Sequence, residues 1–223
     1  MASGVGAATA LTRRESGAPN PQGKAALPLL GELQAWRDVA TNASTPEQVM
    51  VSYLCSLLVL SSEFSFKPVP CTDYHLYYRA ERWSLSLIAP QEWRPARWRE
   101  YAGRCQLQRD ATWRITPAAD MAGNKPLCDA LIAFEEAFRE RFLTADNVAD
   151  DLPHYEAALP YHRRVLASAL ASAVARSLGQ LGLGHASGRE LLPRLTGLQA
   201  IAPPTTVGEA HPGAYRACPV GAP

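Results

Sequence analysis

The chain has 223 residues, 47% of them hydrophobic, with 22 basic against 21 acidic side chains and a formal net charge of +1. Near-neutral charge excludes a surface that is one continuous anion-binding field, and hydrophobic content close to the globular mean excludes wholesale disorder. No apolar run reaches the roughly 18 charge-free residues of an ordinary membrane span, which leaves one globular domain with no membrane span. Inside those totals lie 37 alanines, and arginine outnumbers lysine 19 to 3.

Residues 1–26 and 202–223 are rich in Ala, Gly, Pro, Ser and Thr without periodicity and read as flexible tails around a single domain over 27–201. Arg13 and Arg14 follow the small-residue stretch rather than precede it, the wrong order for a secretory signal. The localisation read from this is cytoplasmic, with mitochondrial import the lesser alternative. Five cysteines lie far apart with no C-x-x-C pair, and are expected to be reduced, structural thiols.

Leu29, Leu30, Leu33 and Trp36 predict a first helix to about Ala40. Thr45-Pro46-Glu47-Gln48 then reads as a helix start: Thr45 as N-cap, Pro46 at the first helical position, Gln48 as capping-box partner. The helix that follows is apolar on nearly all sides from Val49 to Leu60, so it requires burial against two partners, in the chain or in an oligomer. Pro68 and Pro70 close this region. Next, Tyr74, Leu76 and Tyr78 alternate with His75, Tyr77 and Arg79, and after a turn at Ala80-Glu81 a second strand runs from Trp83. A short helix is expected from Pro90 through Trp98 to Tyr101, then strands at 104–108 and 112–115. The last third is helical. Leu127, Leu131, Phe134, Phe138 and Phe142 form an amphipathic stripe over 126–143. A second helix over 161–181 carries Leu166, Ala169, Leu170, Ala173, Val174 and Leu178 on one side, and ends at Gly179 or Gly182. The fold class is α+β: a small antiparallel meander of three or four strands packed against flanking helices, with a C-terminal helical hairpin.

Charge is unevenly placed. Residues 79–114 hold eight arginines, four of the five tryptophans and four acids, a local +4, whereas 126–160 hold eight acids and two arginines, a local −6. Arginine interleaved with aromatic rings on a small sheet is one way to hold single-stranded nucleic acid, though no RNA-binding signature accompanies it. The candidate interaction surface is Arg79, Arg94, Arg97, Trp98, Arg99, Arg104 and Trp113. Asp151-x-x-His154, with Glu156 and His162 nearby, has the spacing of a carboxylate–histidine pair, but Pro153 and Pro160 interrupt any regular helix there. No nucleophile elbow, S-x-x-K, P-loop or dinucleotide fingerprint occurs. No catalytic, cofactor-binding or metal-binding residue is assigned, and no cofactor is expected.

Phe66-Lys67-Pro68, Tyr74-His75-Leu76-Tyr77, Leu85-Ser86-Leu87-Ile88-Ala89-Pro90-Gln91-Glu92-Trp93, and Leu107 with Asp110 and Trp113 together resemble an uncharacterised domain-of-unknown-function family, 2452-like, over residues 66–113. The resemblance implies the hairpin and following strand and no activity; the helices after residue 125 have no counterpart in it.

The apolar 49–60 helix and the small-residue 166–178 helix offer more apolar surface than one small sheet can cover. The leading expectation is therefore a non-catalytic protein acting through protein contacts, by self-association or as a subunit of a larger assembly. Single-stranded nucleic-acid binding through 79–114 is the alternative, and an unrecognised hydrolase or transferase the second.

Overall fold

Thr45 opens the first helix, α1 (Pro46–Ser61), in the way its sequence dictates: its Oγ1 accepts the Gln48 N–H at 3.2 Å, and the Gln48 side chain accepts the Thr45 N–H at 2.9 Å. The computed structural model describes residues 44–154 and 159–195. The expected helix at 29–40, both tails and Glu156 lie outside the described residues.

From Val49 to Leu60 only Val51 and Ser52 are not buried. The sequence leaves open whether the second partner of this helix is its own chain. It is: α1 packs on β2 (Arg82–Ser86) and β4 (Trp113–Pro117) on one side and on α3 (Tyr161–Gln180) on the other. The helix is the central layer of the molecule, between the sheet and the remaining helices.

The sheet has order β2-β1-β3-β4, all antiparallel, with β1 at Asp73–Arg79 and β3 at Tyr101–Leu107. Ala80 (φ 48°) and Glu81 (φ 61°) make the tight turn between β1 and β2, and positive φ at both central residues is the type I′ geometry that suits the twist of a hairpin. At the β3–β4 turn the Asp110 carboxylate accepts the Thr112 N–H at 3.0 Å, an Asx turn. A register shift between Leu76 and Tyr77 leaves Ala102 as the extra residue of a bulge. Next to it, a Cβ on Gly103 would lie 2.4 Å from the Thr116 carbonyl oxygen. Only glycine lets β4 approach there.

The helix expected from Pro90 to Tyr101 is not formed. The segment holds two 3-10 turns, Pro90–Glu92 and Trp98–Glu100. Pro95 lies between them; it has no N–H to donate and disfavours the helical conformation at Arg94.

Helix α2 (Lys125–Leu143) buries Leu127, Leu131, Phe134, Phe138 and Phe142, the stripe its spacing predicts. Tyr53 meets Phe138 and Phe142 edge-on at 5.8 and 5.7 Å. Helix α3 buries its predicted stripe and also Ala167, Ser168 and Ala171, because small side chains allow α1 to come close. Helix α3 packs mainly on α1, whereas α2 shares its contacts among α1, the 3-10 turn that precedes it and the segment that follows α3. Gly182 (φ 72°) stops α3, with the Leu183 N–H donating to the Leu178 carbonyl at 2.8 Å. The short α4 (Gly188–Leu191) follows and packs on α2.

One hydrophobic core runs from Val49 to Leu195 through all these elements. Arg163 of α3 adds a polar tie: its guanidinium donates to the Leu60 carbonyl at the end of α1 and lies 4.9 Å over the Phe64 ring. No helix among the described residues is long and apolar enough to cross a membrane.

Candidate interaction surface

The sheet has two unlike faces. Tyr74, Leu76, Leu85, Cys105, Leu107 and Trp113 point inward against the helices and are buried. Cross-strand register fixes what points the other way. Ser86, His75, Arg104 and Thr116 form one row across the four strands, with Ser84, Tyr77 and Tyr101 on one side of it and Asp73, Gln106 and Arg114 on the other. Among the described residues no helix covers this outer face, and the 90–100 segment folds over one end of it.

That end is an aromatic cluster. Tyr101 sits 5.5 Å from Tyr77, 5.8 Å from His75 and 6.1 Å from Trp98, ring to ring, and Tyr77 meets Trp93 edge-on at 6.3 Å. The Tyr77 hydroxyl donates to the Ile88 carbonyl at 2.8 Å and accepts the Trp93 Nε1–H at 3.3 Å, which ties the 90–100 segment to the sheet. Arg97 lies 4.0 Å over the Trp93 ring, a cation–π contact. Trp98 is 48% exposed at the rim.

Carboxylates are interleaved with the arginines. Arg104 pairs with Asp73 at 3.3 Å, and Arg79 and Arg97 approach Glu100 at 3.5 and 3.7 Å. Arg94 and Arg99 are exposed with no ion pair among the described residues.

Three groups of the face, His75, Tyr77 and Tyr101, are shifted toward their neutral forms. Burial pushes the Tyr101 phenol up to about 12, and raises Tyr77 against the opposing Trp93 hydrogen bond. Burial lowers His75, although Asp73 and Glu92 pull the other way. His75 Nδ1 lies 3.3 Å from the Tyr101 hydroxyl. Its cross-strand neighbour Ser86 accepts the Ile88 N–H at 3.0 Å and is not hydrogen-bonded to the imidazole. Neutral phenols and a serine engaged elsewhere provide contact area and hydrogen bonds rather than an activated nucleophile. In the core, burial raises the Cys55 thiol to about 12 and Cys105 well above its ordinary value, which makes both inert. Cys55, Cys105 and Cys128 are free, but Cys71 is disulfide-bonded, a departure from the expected all-reduced set.

Six of the seven residues singled out from the sequence belong to this face or its rim: Arg79, Arg94, Arg97, Trp98, Arg99 and Arg104. Trp113 does not. It is 2% exposed, edge-on to Tyr74 at 5.7 Å, and its backbone N–H donates to Ser56 Oγ at 2.8 Å, so it belongs to the core. His75, Tyr77, Trp93, Tyr101 and Gln106 complete the face and were missed, although period-two alternation already set His75 and Tyr77 apart from Tyr74 and Leu76.

The Asp151/His154/His162 residues are not gathered. His154 Nε2 contacts the Ala149 carbonyl at 3.2 Å, while the His162 ring lies 5.8 Å from Phe64. No metal-binding cluster occurs among the described residues.

The hairpin, the 90–100 segment and the bulged third strand are also where the chain is similar to other proteins. Residues 59–131 match the family described as Protein of unknown function (DUF2452). The DUF2452 match takes in the end of α1, the whole sheet and the first turns of α2. It thus extends on both sides of the resembling residues 66–113 and past residue 125, after which the resemblance has no counterpart. No curated protein and no solved structure matches the chain. Among the described residues outside the DUF2452 segment are the rest of α2, α3 and α4, which cover α1 from the side opposite the sheet.

Proposed function

We propose that this protein is a non-catalytic binding protein that engages a protein partner through the outer face of its sheet. The observation that supports this reading is the aromatic–arginine face, which no helix covers among the described residues, with Trp98 exposed at its rim. Trp, Tyr and Arg dominate the residues on which protein interfaces depend most. The helices that first motivated a protein-contact reading are buried within the chain, so the contact surface is moved from the helices to the sheet. A single-stranded nucleic acid is the less favoured ligand on electrostatic grounds. Asp73, Glu92 and Glu100 stand among the arginines, and three of those arginines already have carboxylate partners. A mixed-charge face favours a partner of mixed charge.

The test is differential capture in the native host, with the wild-type chain compared with Trp98→Ala/Arg104→Ala. Both sites are exposed, so the variant should keep its circular dichroism spectrum. Proteins retained by the wild type and lost from the variant support the reading. Equal capture by both contradicts it. Tight, salt-sensitive binding of oligonucleotides that the variant loses would replace it with the nucleic-acid reading.

A further inference from the structure

We propose that the partner of the outer sheet face is a second copy of this chain, which docks through the solvent side of α2. The proposal rests on the sheet-face reading above and names its occupant. On α2, Asp129, Ile132, Glu136, Glu140 and Leu143 fall on one side, opposite the buried stripe. They extend along about 21 Å of helix at 1.5 Å per residue. Ile132 and Leu143 are 54% and 50% exposed, two large apolar side chains in a row of carboxylates. Glu136 and Glu140, one turn apart, have no ion pair among the described residues. A like-charge pair at that spacing disfavours its own helix, and a cation from outside would relieve it.

The sheet offers the complement. Arg94 and Arg99 are exposed cations without a carboxylate partner among the described residues, on either side of the exposed Trp98. Apolar anchors within opposite charges on the two surfaces give both register and affinity. One chain does not close this contact on itself: the Arg99 carbonyl accepts the Asn124 Nδ2–H at the very start of α2, and Glu136 lies twelve residues, about 18 Å, further along the helix. The contact is therefore head-to-tail, which links copies into chains rather than closed pairs.

Sedimentation velocity on the full chain at low salt tests this. Average mass should rise above the monomer between about 1 and 100 μM and return to it in about 0.5 M salt, because the charged groups are exposed. Arg94→Glu/Arg99→Glu and Glu136→Lys/Glu140→Lys should each be folded and monomeric. Mixing the two variants, or placing all four reversals in one chain, should restore association. A wild type that stays monomeric throughout, or reversals that leave association unchanged, overturns the proposal. If capture in the host still distinguishes Trp98→Ala/Arg104→Ala from wild type in that case, the sheet-face reading stands and only the identity of the partner is wrong.

Discussion

The inner and outer faces of the sheet are built from the same strands, residue by residue in alternation, yet they do different work. Inward, Tyr74, Leu76, Cys105, Leu107 and Trp113 are sealed against α1 and carry the fold. Outward, His75, Tyr77, Tyr101 and Arg104 are held in place by hydrogen bonds, ring contacts and ion pairs, and all but Tyr77, which lies buried beneath the 90–100 segment, remain partly open to solvent. On the proposed function, stability is a property of one face and recognition of the other. Substitutions should therefore separate the two.

The largest effect should come from the inner face. Trp113→Ala removes a fully buried indole and should cost about 3–5 kcal/mol in urea unfolding, whereas Trp98→Ala at the outer rim should stay within about 0.5 kcal/mol. Similar losses for the two would abolish the distinction. Gly103→Ala comes next. It adds a methyl against the Thr116 carbonyl and should cost about 2 kcal/mol by forcing β3 and β4 apart; an unchanged urea midpoint would mean that the bulge is not fixed as described. A smaller gain is expected from Glu81→Gly, which relieves a left-handed conformation at φ 61° and should stabilise by about 1 kcal/mol.

The smallest effect concerns pH. His75 titrates below its ordinary value in the folded protein because burial disfavours the imidazolium. The unfolded chain binds that proton more readily, so this contribution is complete above about pH 6.5 and is lost as pH falls through the folded value. Stability should decline on acidification from pH 7 to 5, and His75→Gln should decline less. A steeper decline in the variant would show that the imidazole is not desolvated.

Local rules in the sequence determine much of this. The Thr45–Gln48 capping box and the Leu127–Phe142 stripe depend on residues a few positions apart, and both are present as read. The 90–101 helix fails for an equally local reason, since Pro95 stands in its middle. Trp113 is instructive in another way. Grouped by composition with the neighbouring arginines it looked like surface, but strand alternation sets it with Ile115, opposite Arg114, and it is core. Burial of the Val49–Leu60 helix is a different matter. An all-round apolar helix demands two partners without saying whose, and only the tertiary fold shows that α3 is one of them. The outer face depends likewise on register and on the bulge at Ala102, which set Tyr101 beside Tyr77 and which no single-strand pattern encodes.

The claim that the outer face is the binding surface is tested most directly by site-specific photocrosslinking of the full chain in its native host. A photoreactive amino acid in place of Trp98 should give discrete protein adducts, whereas the same group in place of exposed Arg189, on the helical side, should give none. Adducts from position 189 with none from position 98, or adducts to nucleic acid at position 98, would contradict it.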